Sequence, residues 1–135
     1  MSFHFNVSSL GIKLSHKISV LVVDDDKAQC DEIAEFLSER GISVAVAYEG
    51  LGALTSIKNL KPSVVIMDVG MPTFDGLKIS RLSTILDFRA TVILITGEEF
   101  RDLGVLASEC GAICALKKPL DMHLLLATIK PLLQI

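Results

Sequence analysis

The sequence predicts one α/β domain: a doubly wound, five-stranded parallel sheet with strand order 2-1-3-4-5 and five helices. Short runs rich in β-branched residues alternate with helical patterns of about 10–14 residues from residue 18 onward. The first run, residues 19–23, is apolar on both faces, as expected for a strand buried inside a parallel sheet. Such an alternation requires right-handed crossovers, so helices cover both faces of the sheet.

The elements follow one another without an internal repeat or linker. The predicted strands lie at residues 19–23, 44–46, 64–67, 91–95 and 113–116. Asp26 can cap the first helix, which carries Cys30, Ile33 and Leu37 on one face and ends at Gly41. The later helices are marked by Leu51, Leu54 and Ile57, by the segment from about Leu77 to Leu86, by a segment ending near Cys110 before Gly111, and by Leu120 to about Thr128.

Length and composition exclude several classes of protein. The 135 residues, half of them hydrophobic, suit a single domain at residues 18–133, preceded by an extension at 1–17 that we place outside the fold. A net charge of −3 gives no general attraction to nucleic acid or to an anionic membrane. No apolar run approaches the roughly 18–20 residues of a membrane span. Three cysteines do not form a disulfide framework, and with no signal peptide recognised we expect a cytoplasmic protein.

Carboxylates follow two strands that this order makes neighbours. Asp24 and Asp25 come directly after the first strand, and Asp68 follows the third. In a doubly wound sheet the ligand crevice lies where the strand order reverses, so these three side chains should converge there. Crowded carboxylates repel one another unless a cation lies among them, and hard oxygen ligands suit Mg²⁺. Asp26 is better explained as the helix cap.

Two further polar side chains end the remaining strands. Thr96 closes the fourth strand with a hydroxyl group, and Lys118 follows the fifth strand with an ammonium group. Together with a divalent cation they would surround Asp68 with groups that neutralise or hydrogen-bond phosphoryl oxygens. The charges of the cation and Lys118 balance those of the three carboxylates. The pattern therefore indicates phosphoryl transfer to Asp68.

Four segments, each at a strand end, resemble the receiver domain of two-component response regulators over residues 18–133. They are VVDDD at 22–26, MDVGMPTFDG at 67–76, Thr96, and Lys118-Pro119. The resemblance implies a flavodoxin-like receiver fold with Asp68 as phosphoacceptor, supplied by a histidine kinase or a histidine phosphotransfer protein. It also implies a cis peptide bond between Lys118 and Pro119.

The same resemblance implies that Asp24, Asp25, Asp68 and the backbone carbonyl of Gly70 bind Mg²⁺ or Mn²⁺. The chain would catalyse its own phosphorylation and dephosphorylation without turning over a separate substrate, so we do not expect an enzyme. One alternative is a pseudo-receiver that binds partners without being phosphorylated. Another is an aspartate-nucleophile phosphatase of the haloacid dehalogenase type, but its nucleophile follows the first strand, whereas here the acidic pair comes first.

The route by which a signal leaves the site departs from the family pattern. Receivers commonly carry an aromatic residue on the fifth strand, where this chain has Ala115. We expect Phe100 to take over part of that role, with a change in the helix that begins near Glu98. The last helix is apolar around much of its circumference, which makes it a candidate surface for a downstream protein or for a homodimer. The sequence identifies neither the kinase nor that downstream protein.

Overall fold

The computed structural model describes residues 5–6, 17–70, 89–97 and 102–133. The strands are β1 (Phe5–Asn6), β2 (Val20–Val23), β3 (Val44–Ala47), β4 (Val64–Asp68), β5 (Thr91–Thr96) and β6 (Cys114–Lys117). The helices are α1 (Lys27–Ser38), α2 (Gly50–Leu60), α3 (Leu103–Cys110) and α4 (Met122–Ile129), followed by a 3₁₀ turn at Lys130–Leu132. The helix predicted from about Leu77 to Leu86 lies outside the described residues.

All strands pair in parallel, in the order β1-β3-β2-β4-β5-β6. The strands β2 to β6 have the predicted order 2-1-3-4-5, which confirms the doubly wound fold. The structure adds β1 at the edge, where Phe5 pairs with Ala45 and Asn6 with Val46. Within the described residues, two residues of the segment that we placed outside the fold therefore extend the five predicted strands by a short edge strand. The domain boundary at residue 18 stays a prediction.

Each face of the sheet has its own core. Residues Val20 to Val23 are wholly buried and alternate between the two faces, since Leu21 and Val23 pack with α2 and α3 while Val20 and Val22 pack with α1 and α4. Burial on both faces explains why this strand reads as an unbroken apolar run. Leu51 departs from this arrangement: it helped to mark α2 in the sequence, but its side chain is 69% exposed.

Short polar residues set where the helices begin. Asp26 caps α1 by accepting a hydrogen bond from the backbone N–H of Gln29, as predicted. Asp102 and Asp121 cap α3 and α4 in the same way. Gly111 ends α3 in the left-handed region, at φ +77°. Within the described residues no helix combines the length and apolar character needed to cross a membrane.

Candidate functional site

The sheet register brings the predicted acidic residues together. Val23 of β2 lies opposite Met67 of β4, so the next residue on each strand, Asp24 and Asp68, stands at the same edge of the sheet. Carboxylate oxygens of Asp24, Asp25 and Asp68 all lie within 4.8 Å of one another. The cluster is partly enclosed, since Asp24 and Asp68 are buried while Asp25 is exposed to solvent. Access to the cluster is therefore from the side of Asp25.

Asp24 is held through its backbone and through both of its carboxylate oxygens. Its backbone N–H donates to the carbonyl of Ala47 over 3.1 Å, and its Oδ1 accepts from the N–H of Asp26 over 3.0 Å. Its Oδ2 accepts from Nζ of Lys118, also over 3.0 Å. Burial, helped by the charge of Asp68, raises the pKa of Asp24 from 3.8 to about 6, although the bonds from Asp26 and Lys118 oppose this.

The ammonium group of Lys118 places a positive charge beside the three carboxylates. It follows β6, and its backbone N–H donates to the carbonyl of Thr96 over 2.8 Å, which ties it to the end of β5. Its peptide bond to Pro119 is cis. The Nζ atom lies 3.0 Å from Oδ2 of Asp24 and 3.5 Å from Oδ2 of Asp68. Burial alone would lower the pKa of Lys118, but the bond to Asp24 and the two carboxylate charges outweigh it and raise the pKa.

Asp68 and Thr96 stand on neighbouring strands. Asp68 lies opposite Ile95 in the β4–β5 register, so Thr96 is one residue further along β5. Thr96 is fully buried, and Asp68 is 7% exposed. The N–H of Gly70 donates to Oδ1 of Asp68 over 3.1 Å, while Oδ2 faces Lys118. One oxygen of Asp68 therefore accepts a backbone hydrogen bond, and the other is paired with the charge of Lys118.

The donor set fits a hard divalent cation. Three carboxylates offer oxygen atoms close enough to share one ion, and one of them opens to solvent. Mg²⁺ prefers this arrangement, because it binds few carboxylates and keeps waters and phosphate oxygens in its remaining positions. The exposed Gly70, two residues after Asp68, lies next to the cluster, where its carbonyl could contribute a further oxygen.

A group of contacts beside this site is not predicted by the sequence pattern. The hydroxyl of Tyr48 donates to Oδ1 of Asp31 over 2.7 Å, and Nζ of Lys27 lies 5.4 Å from the centre of the Tyr48 ring. Lys27 and Asp31 are four residues apart on α1, a spacing that indicates a shared face. Nothing in the sequence indicates that Tyr48 lies against that face.

Cys30, Cys110 and Cys114 form no disulfide bond within the described residues. Cys110 packs in the core on the α2 and α3 side of the sheet, and Cys114 packs against the core on the opposite side. Glu98 and Phe100, which carry our expectation about signal output, lie outside the described residues. Ala115 is buried opposite Leu94 of β5.

Known proteins share both the sequence pattern and the fold. The family model of the response regulator receiver domain matches residues 20–130. The response regulator MprA of Mycobacterium sp. (strain KMS) is 34% identical over 117 residues, which cover 87% of this chain and 51% of MprA. The chain thus spans about half the length of the curated relatives it matches.

Solved structures agree with this match. The receiver domain of the Francisella response regulator 1452 has a TM-score of 0.79 at 27% identity, covering 86% of this chain and 96% of that one. The signal receiver domain of a DNA-binding response regulator (merR) from Colwellia psychrerythraea 34H has a TM-score of 0.77 at 31% identity, covering 86% and 98%. The carboxylates, threonine and lysine described above stand within the matched segment. The chain belongs to the family of response regulator receiver domains.

Proposed function

We propose that this receiver accepts a phosphoryl group on Asp68 in a magnesium-dependent reaction, from a histidine kinase or a histidine phosphotransfer protein. The observation that carries the proposal is the grouping of three carboxylates within 4.8 Å, with the Lys118 ammonium in reach of two of them. Mn²⁺ would serve as well as Mg²⁺, because it takes the same oxygen ligands. We place the reaction in the cytoplasm, because cysteines that form no disulfide suit a reducing compartment.

The proposed reaction joins a carboxylate oxygen of Asp68 to the phosphorus atom of a phosphohistidine. The P–N bond breaks, and its electron pair remains on the imidazole nitrogen of the donor. Asp24, Asp25, Asp68 and the Gly70 carbonyl would hold the cation, whose charge would neutralise phosphoryl oxygens. Lys118 is already 3.5 Å from Asp68 and would pair with a phosphoryl oxygen, and the Thr96 hydroxyl would donate to another.

The chain itself would catalyse this transfer and the later hydrolysis, with no separate substrate turned over. Small phosphodonors such as acetyl phosphate test this directly, because they need no partner protein. In the presence of Mg²⁺ we expect intact-mass spectrometry to show one added phosphoryl group on the wild type. We expect none on Asp68→Asn, and none on the wild type when a chelator replaces Mg²⁺.

The rival function, a pseudo-receiver that binds partners without phosphorylation, has a different outcome in this experiment. It requires an unlabelled wild type with a donor that labels a control receiver under the same conditions. Equal labelling of wild type and Asp68→Asn would instead show that the phosphoryl group goes elsewhere. Either result would overturn the assignment of Asp68.

The outer surface of α4, formed by His123, Leu124 and Ala127, is our proposed contact for a partner or a second copy of the chain. All three residues are exposed, Leu124 by 51%, and no charged residue lies between Met122 and Ile129. Sedimentation velocity with and without a beryllofluoride phosphoryl mimic tests self-association. A concentration-dependent dimer that Leu124→Glu abolishes would support self-association through α4. A monomer with and without the phosphoryl mimic would refute self-association.

A further inference from the structure

Two residues at the end of β3, Ala47 and Tyr48, are hydrogen-bonded to the segment of residues 24–31. The carbonyl of Ala47 accepts a hydrogen bond from the N–H of Asp24 over 3.1 Å. The next residue, Tyr48, reaches past the start of α1 and donates its hydroxyl to Oδ1 of Asp31 over 2.7 Å. Residues 24–31 are therefore held at both ends by two consecutive residues of one strand end, and Asp25 lies between the attachments.

The contact between Tyr48 and Asp31 has the geometry of a strong bond. A distance of 2.7 Å is typical of a hydroxyl that donates to an ionised carboxylate, and such bonds are about twice as strong as neutral ones. Burial, together with the hydrogen bond to Asp31, raises the pKa of Tyr48, so its hydroxyl keeps the proton that it donates. The Lys27 ammonium, 5.4 Å from the ring centre, adds a cation–π contact on the same face of α1.

Of the three carboxylates, Asp25 depends most on how firmly the start of α1 is held in place. Asp24 is buried and bonded to Asp26 and Lys118, and Asp68 is fixed at the end of β4. Asp25 is the exposed member of the cluster, at the junction between β2 and α1. Substitution of a residue that orients the ligands of a metal typically lowers the affinity for that metal about 10- to 100-fold. A hydrogen bond that limits movement of the start of α1 would therefore keep Asp25 close to Asp24 and Asp68.

We propose that Tyr48 is a positioning residue of the cation site: its bond to Asp31 holds the start of α1 so that Asp25 stays within reach of a cation bound by Asp24 and Asp68. This inference rests on the proposed binding of Mg²⁺. Tyr48 itself does not touch the cation, and its effect passes through Asp31 and the α1 backbone.

The variant Tyr48→Phe tests the proposal, because it removes the hydroxyl and changes no formal charge. Mg²⁺ affinity is measured by following amide chemical shifts during titration with MgCl₂. We expect the dissociation constant to increase at least about threefold, below the effect usual for residues that directly contact a metal ligand. In an Asp31→Ala background the same substitution should have a smaller effect, because the bond is already absent.

Ser56→Ala is a matched control for lost stability. It also removes a hydroxyl bond, from Ser56 to the carbonyl of Gly52 over 2.6 Å, but it lies in α2 and leaves residues 24–31 untouched. Urea unfolding without Mg²⁺ gives the stability of each variant. A merely structural role for Tyr48 predicts that both variants lose stability and keep the wild-type affinity for Mg²⁺.

A second pair of variants keeps the test independent of whether Tyr48→Phe folds. Asp31→Asn and Asp31→Ala lose the same charge, but only Asn retains an oxygen that can accept the Tyr48 hydroxyl. We expect Asp31→Ala to bind Mg²⁺ more weakly than Asp31→Asn. An increase below about threefold for Tyr48→Phe, an equal increase in both backgrounds, or equal affinities of the two Asp31 variants would overturn the proposal. A wild type that binds no Mg²⁺ would instead overturn the proposed function on which it rests.

Discussion

The Nζ atom of Lys118 lies 3.0 Å from Oδ2 of Asp24, closer than to the proposed phosphoacceptor. These two residues are separated by most of the chain and meet because β2 and β6 end on the same edge of the sheet. Asp24 is fully buried, so the ammonium group provides the charge that makes its ionised form tolerable there. If Asp68 accepts a phosphoryl group as proposed, Lys118 would share its contact with Asp24 or leave it, and a cation bound at Asp24 would then replace the charge of Lys118.

Lys118→Ala should destabilise the protein in the absence of Mg²⁺, because the buried carboxylate of Asp24 loses its partner. We expect the free energy of unfolding to fall by roughly 1–3 kcal/mol, measured by urea denaturation. The neighbouring, exposed Lys117 provides the matched control, and Lys117→Ala should cost less. If Asp24→Asn combined with Lys118→Ala loses as much stability as Lys118→Ala alone, the ion pair is not the cause.

The stability of the metal-free protein should depend on pH through Asp24. Its pKa is about 6 in the folded protein against an ordinary value of 3.8. Between these values the folded state binds more protons than the unfolded state, so the free energy of unfolding falls as pH rises from about 4 to about 6. We expect a change on the order of 1 kcal/mol, obtained by subtracting the profile of Asp24→Asn. If the free energy of unfolding of the wild type, relative to that of Asp24→Asn, instead rises with pH over this range, burial does not raise the pKa of Asp24.

Addition of Mg²⁺ should stabilise the wild type, because the cation binds only the folded cluster. At about 100 times the dissociation constant the gain is about 2.7 kcal/mol, visible as a higher melting temperature. Asp25→Ala should remove most of this gain and should itself stabilise the metal-free protein, since it relieves carboxylate repulsion. Glu32→Ala, an exposed acidic residue of α1, should leave the response unchanged. A melting temperature that ignores Mg²⁺ would favour the pseudo-receiver.

Gly70 has no side chain that could shield a phosphoryl group on Asp68 from water. A Cβ atom there would lie 3.5 Å and 3.7 Å from the two Asp68 oxygens, at ordinary contact distance, so a side chain can be accommodated. We expect Gly70→Arg to slow the loss of the phosphoryl group severalfold and Gly70→Ala to change it little. Intact-mass measurements over time after removal of the donor provide the rates. Faster loss from Gly70→Arg would show that shielding does not control the lifetime.

The positions of the site residues followed from the sequence because strand ends are marked by local pattern. Val20 to Val23 and Val64 to Met67 are apolar on both faces, and such strands lie inside a doubly wound sheet. Once the strand order is set, the residue after each strand falls at one edge. Asp24 and Asp68 could therefore be paired without knowledge of any contact.

Contacts that depend on side-chain direction could not be predicted in this way. The preference of Lys118 for Asp24 is set by the path of the chain after β6, and the bond between Tyr48 and Asp31 depends on how far a ring reaches across a helix. Ile57 is buried as the helical spacing of α2 predicted, whereas Leu51 of the same pattern is exposed and Ala53 fills the core. Periodicity predicts that a helix has a buried face, but neighbouring elements decide its orientation.

The two residues of β1 cover part of the backbone edge of β3, which would otherwise face solvent. Without them, β3 would present the backbone of Ala45 and Val46 at an open edge, in a strand of four apolar residues with no charge. Uncharged apolar edges recruit strands from other chains and so promote aggregation. By occupying that position, Phe5 and Asn6 protect the edge within the same molecule. A chain shortened to start after them would expose the backbone of β3 to other molecules, so we expect it to aggregate more readily than the full chain.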